Sequence, residues 1–195
     1  TFRRDTHISK DPLIPSDQND VIVGIDFGRS PSAVFCQQLH TGRWIIFHEI
    51  IGKDMGAIRF AEILKREISR HKWDNMTFKF IGDPAGNQMA QVSEHTPFMM
   101  LRAAGISAYP APTNDISIRV EAVESVINRM ADGLPCLTVS PTCTSLISGF
   151  LGGGEGRKVM LGPKTPTSPT TVERVSNPFA RLKQRNSRLG RQRAI

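Results

Sequence analysis

Two short apolar runs that each end in an aspartate constrain this chain most. They are Val21-Ile22-Val23-Gly24-Ile25-Asp26, followed by Phe27-Gly28, and Phe78-Lys79-Phe80-Ile81-Gly82-Asp83, followed by Pro84. A run rich in β-branched and aromatic residues and bounded by turn formers reads as a buried strand, and open α/β sheets build their sites at the carboxyl ends of strands. Taken alone, each acid reads equally well as a cap on the turn that follows it. Their recurrence in one setting favours a site, and two carboxylates at two strand ends can hold a divalent metal.

The 195 residues suffice for one sizeable core and are few for two, and 39% hydrophobic with 22% charged residues is an ordinary globular balance. The three cysteines, Cys36, Cys136 and Cys143, have neither zinc spacing nor disulfide density, which predicts reduced thiols in a cytosol-like compartment. No apolar run approaches bilayer length, and Thr1 reads as the start of an excised domain. The net charge of +7 is unevenly spread: residues 156–195 carry ten Lys or Arg against Glu173 alone, leaving residues 1–155 at −2. A near-neutral body with a basic end points to a polyanion partner, because each phosphate contact releases counterions.

Along the chain, residues 1–20 read as an extended lead-in holding Pro12 and Pro15. Strands are predicted at 21–26, 32–39 and 43–51, the last two joined by a tight hairpin at His40-Thr41-Gly42. Met55 to His71 has amphipathic helical spacing with Asp54 as N-cap and Lys65, Arg66, Glu67 and Arg70 outward. A strand at 77–81, a helix between Pro97 and Gly105 and a strand at 106–109 follow. A helix starting at Asp115, with Ile116, Val120, Val123, Val126, Ile127 and Met130 inward, runs to Gly133; a strand at 137–140 and a helix at 142–150 complete the body. The glycine cluster at 149–161 reads as a flexible hairpin, and residues 163–195 as a basic, proline-containing tail.

The order β-β-β-α-β-α-β-α-β is similar to the ribonuclease H-like α/β arrangement, a mixed central sheet flanked by helices, spanning residues 21–162 here. That arrangement carries acids at the ends of its first and fourth strands, where Asp26 and Asp83 stand. Two Mg²⁺ or Mn²⁺ ions about 4 Å apart can activate water and stabilise the leaving oxygen in phosphodiester cleavage. Gly24, Gly28 and Gly82 are expected to let phosphate and metal approach the backbone.

The run His7-Ile8-Ser9-Lys10-Asp11-Pro12-Leu13-Ile14-Pro15, the run Gly24-Ile25-Asp26-Phe27-Gly28-Arg29-Ser30-Pro31-Ser32-Ala33-Val34, and Gly82-Asp83-Pro84-Ala85-Gly86 together resemble the nuclease domain of the large terminase subunit of tailed bacteriophages. Pro112-Thr113-Asn114-Asp115, followed by Arg119, adds to the resemblance, which covers roughly residues 5–162. It implies a metal-dependent endonuclease that cuts concatemeric double-stranded phage DNA during packaging in the host cytoplasm. The implied partners are DNA, the terminase ATPase domain, the small terminase subunit and the portal. The metal-binding acids would be Asp26 and Asp83. Glu173 is the only carboxylate after Glu155 and so the local candidate for the third acid that such domains carry late in the chain. The candidate DNA contacts are Arg29, Arg119, Arg157, Lys158, Arg181, Lys183 and Arg185.

No phosphate-binding loop of the Gly-x-x-x-x-Gly-Lys-Ser/Thr type occurs, and Gly152-Gly153-Gly154-Glu155-Gly156-Arg157-Lys158 has the wrong spacing, so ATP hydrolysis is not expected. His7, His40, His48, His71 and His95 lack metal-ligand spacing and read as surface or packing residues, and Trp44 and Trp73 read as core or edge packing rather than base-stacking platforms. Two other functions fit parts of the pattern: a DNA-gripping module with an incomplete metal site, and a fragment of the actin-like ATPase fold, for which 195 residues leave no second lobe.

Overall fold

The computed structural model describes residues 1–84 and 95–152. In chain order the elements are α1 (Arg4–His7), β1 (Val21–Asp26), β2 (Ser32–Gln38), β3 (Trp44–Ile51), α2 (Ala57–Arg70), β4 (Phe78–Gly82), α3 (Pro97–Ala103), β5 (Ala108–Pro110), α4 (Ile116–Ile127), β6 (Met130–Ala131), β7 (Leu134–Pro135), β8 (Leu137–Val139) and α5 (Thr144–Phe150). One six-stranded sheet runs in the order β5-β4-β1-β2-β3-β8, and β6 and β7 form a separate small hairpin. Only β2 runs against its neighbours; the β1–β4, β4–β5 and β3–β8 pairs are parallel. This is the mixed α/β sheet expected from the element order.

Alternation along the central strands feeds two cores. Val21, Val23 and Ile25 of β1 join Phe35, Phe47 and Phe80 under α2 and α3, where Phe60, Leu64 and Leu101 are fully buried. Val34, Cys36, Trp44, Ile46 and Val139 pack on the opposite face against α4 and α5 through Val123, Val126, Leu146 and Ile147. Cys36, Cys136 and Cys143 are free and buried, and burial pushes the Cys36 and Cys143 thiols up to about 12, so neither is a thiolate at neutral pH.

Several expectations are corrected. The lead-in is not simply extended: Phe2 and His7 are buried, and α1 seats them against α4 and α5. The Arg3 amide donates to His7 Nδ1 at 2.9 Å, so Nε2 carries the proton and donates to the Ile127 carbonyl at 3.0 Å. Ser9 then bonds to Val139, which covers part of the outer side of β8. Asp54 does not cap α2; Gly56 does, with no side-chain hydrogen bond, while Asp54 takes a positive φ of 46° and pairs with Arg29. Of the residues expected inward on α4, Ile116 is exposed and Met130 lies beyond the helix in β6, because the buried stripe runs through Arg119, Ala122, Val123, Val126 and Ile127. Asp115, expected to begin α4, caps it by accepting from the Ser117 and Ile118 amides, and the Thr96 side chain caps α3 by accepting from the Met99 amide.

No helix among the described residues is long and apolar enough to cross a membrane. Glu49 leaves β3 on the α5 side, and its carboxylate accepts from the Ser145 and Leu146 amides at 2.8 and 2.9 Å, capping α5 from the strand. Glu49→Ala should therefore lower unfolding free energy by about 1–2 kcal/mol, read as a lower urea midpoint at unchanged m-value.

Candidate functional site

Parallel pairing of β1 with β4 places Ile25 opposite Gly82, and the Asp83 amide extends the ladder by donating to the Ile25 carbonyl at 3.1 Å. Asp26 and Asp83 thus stand side by side on adjacent strands, whose axes lie about 4.8 Å apart. Ile22 packs into the α4–α5 core, so alternation directs Asp26 to that face, and the Arg119 contact shows Asp83 on the same face. The two carboxylates predicted from separate runs share one end and one side of the sheet.

Three features hold this corner. The Ala111 amide donates to the Gly82 carbonyl at 2.9 Å, drawing the segment before α4 over the strand end. From the first turns of α4, Arg119 Nη1 reaches Asp83 Oδ2 at 3.3 Å and Asn114 Oδ1 at 2.9 Å. Arg119, expected among the DNA contacts, is only 6% exposed and braces Asp83 from the first turn of α4. Gly82 has no room for a side chain: a Cβ there would overlap the Phe27 ring and lie 2.8 Å from Phe98 Cζ. Those rings meet edge to face at 5.0 Å and pack on the α2–α3 side of the strand immediately before Asp83.

Arg29 lies in the loop that leaves Asp26, with its side chain 90% exposed, and its Nε donates to Asp54 Oδ1 at 2.6 Å. An exposed pair of this kind contributes about 0–1 kcal/mol, so Arg29 is available to a phosphate. Glu173, Arg157, Lys158, Arg181, Lys183 and Arg185 lie outside the described residues, as do the glycine cluster beyond Gly152 and Gly86.

A second convergence of side chains was not foreseen. His48 of β3 meets Glu67 and His71 at the end of α2, and Glu67, expected outward, has a side chain only 15% exposed. The i,i+4 spacing of Glu67 and His71 was a legible signal. The approach of His48 was not, since it depends on a strand irregularity.

No protein-family model and no curated protein matches this sequence. Solved structures do match the fold. The large terminase of a thermophilic bacteriophage aligns at a TM-score of 0.59 with 20% identity, over 76% of this chain and 34% of that one. The P22 large terminase nuclease domain aligns at 0.59 with 14% identity, over 77% and 75%. The nuclease domain of the bacteriophage SPP1 large terminase, solved with bound Mn, aligns at 0.50 with 16% identity, over 73% and 75%. The chain has the fold of large-terminase nuclease domains, and it spans about a third of the length of the thermophilic phage's terminase.

Gly82→Ala should cost about 1–3 kcal/mol through overpacking against Phe27 and Phe98. Arg119→Met, which leaves Asp83 without its guanidinium partner, should cost about 1.5–3 kcal/mol. Chemical denaturation of the two variants checks both values.

Proposed function

We propose that this chain is the nuclease part of a phage DNA-packaging enzyme: a metal-dependent endonuclease that cuts concatemeric double-stranded DNA by phosphodiester hydrolysis. The observation that carries the reading is the pair Asp26 and Asp83, side by side at the carboxyl ends of adjacent parallel strands and on one face of the sheet. The fold shared with terminase nuclease domains, one of them solved with Mn, supports it.

The donor set suits the metal. Both side chains offer hard carboxylate oxygens, the ligands preferred by Mg²⁺ and Mn²⁺, and both are partly buried rather than fully solvated. Asp26 and Asp83 would hold the metal, with Glu173 as the candidate third ligand. Bound there, two such ions supply an activated water and stabilise charge on the leaving oxygen.

The chain's own residues do the rest. Arg119 donates to one oxygen of Asp83 and so biases the direction of the carboxylate. Asn114 holds Arg119 in turn, so the brace is set before DNA arrives. Arg29, at the same end of the sheet, is placed to exchange its exposed pair with Asp54 for a DNA phosphate. Arg157, Lys158, Arg181, Lys183 and Arg185 add sequence-independent affinity for the backbone through their charge. The ATPase domain, the small terminase subunit and the portal are the proposed assembly partners, in the host cytoplasm.

Asp26→Asn should reduce Mn²⁺-dependent plasmid nicking to the level of an EDTA control while thermal unfolding stays cooperative; wild-type nicking by this variant would remove Asp26 from the site. Arg119→Met should weaken Mn²⁺ binding about 10–100-fold, measured by titration calorimetry. Deleting residues 181–195 should lower duplex affinity equally for all sequences and flatten its salt dependence, by about one unit of slope for every phosphate those residues neutralise. An unchanged slope would make them bystanders.

A further inference from the structure

His48, Glu67 and His71 come together on the α2 face of the sheet, whereas Asp26 and Asp83 lie on the α4 face. A break in alternation brings them there. Along β2 and β3, Cys36 pairs with Ile46 and Phe35 with His48, which leaves Phe47 as an extra residue in β3. Strict alternation would send His48 to the side opposite Phe47. The bulge instead keeps both on the α2 face, where the His48 ring lies 5.3 Å from Phe35, 5.4 Å from Trp73 and 5.0 Å from His71.

Helix α2 supplies the other two groups from one stripe. Glu67 and His71 are i,i+4, and the His71 amide closes the helix by donating to the Glu67 carbonyl at 3.1 Å. The His71 ring is stacked on Trp73, with centroids 4.5 Å apart and planes 14° from parallel, which fixes its direction. His48 Nε2 is 3.8 Å and His71 Nε2 3.6 Å from Glu67 Oε2, and the three ligand atoms all lie within 4.8 Å of one another.

These separations are too long for hydrogen bonds. They come close to what a shared cation needs, since bonds of about 2.0–2.1 Å in tetrahedral geometry set ligand atoms about 3.3 Å apart. His48 Nε2 is moreover buried and has no hydrogen-bond partner among the described residues. The competing contact is Arg70, whose Nη1 lies 3.3 Å from Glu67 Oε1, but the Arg70 side chain is 70% exposed and free to swing into water.

We propose that His48, Glu67 and His71 bind one Zn²⁺ ion, with water in the fourth position, as a clasp joining the β3 bulge to the C-terminal end of α2. Two imidazoles and a carboxylate favour Zn²⁺, Co²⁺ or Ni²⁺ over Mg²⁺, so the site selects a different class of ion from the paired aspartates. It adds a cross-link where α2 ends and the chain turns back towards β4.

The test uses the full chain carrying Asp26→Asn and Asp83→Asn, stripped with EDTA, so that the other carboxylate site does not report. Zn²⁺ titrated by calorimetry should bind at one equivalent and raise the melting temperature. Adding His48→Ala or His71→Gln should weaken binding at least about 10-fold, whereas His40→Ala should not change it. Co²⁺ should show the intense visible bands of a four-coordinate site with imidazole ligands, a readout that holds even where His48→Ala fails to fold. Zn²⁺ affinity indifferent to His48 and His71, or only the weak spectrum of six-coordinate Co²⁺, would overturn the proposal.

Discussion

The parallel hydrogen-bonded ladder between β1 and β4 is the constraint on which the rest depends. It runs from Val21 and Phe78 to Ile25 and Gly82, and the Asp83 amide carries it one step further. Because parallel strands end in the same direction, two acids placed after two runs of similar length must meet. Displacing one strand by a single residue would turn one carboxylate to the opposite face and abolish the pair. Register is secured by burial: Val23, Ile25 and Phe80 occupy the α2–α3 core and cannot exchange faces without exposing apolar surface.

Around that ladder the chain concentrates its less common devices. Gly82 gives up a side chain so that Phe27 and Phe98 can close the apolar side of the strand end, and Arg119 is buried so that the polar side has a fixed partner for Asp83. Burying a guanidinium is costly unless its donors are matched, and Asp83 and Asn114 both accept from its Nη1. The same corner is therefore apolar and sterically full on one face and charged and braced on the other. Such a division is suited to holding two carboxylates in a fixed relation.

Much of this was legible in the sequence because it depends on local periodicity. The strand at Val21–Asp26, the hairpin around Gly42, the proline-led helix α3 and the Asp115 cap follow from patterns within a few residues. The misreadings fall where a distant group intervened. Asp54 stands where an N-cap is common, yet it pairs with Arg29 in the loop and Gly56 begins the helix. Phe2 and His7 gave no sign that residues ahead of the first strand would lie in the α4–α5 core, since their partners Ile127 and Phe150 are more than a hundred residues away.

By itself the sequence determined most of the strands and helices of the main sheet and its flanking layers, that two strands end in aspartate, and that positive charge gathers in the last forty residues. Tertiary structure alone decided that Arg119 is a brace for Asp83, that Gly82 yields its space to two phenylalanine rings, and that His48 joins Glu67 and His71. The physical reason is range. Backbone propensity and apolar periodicity act over one or two turns of chain, whereas the direction of a side chain at the end of a strand depends on register, and a bulge at Phe47 reverses it without any mark in the local pattern.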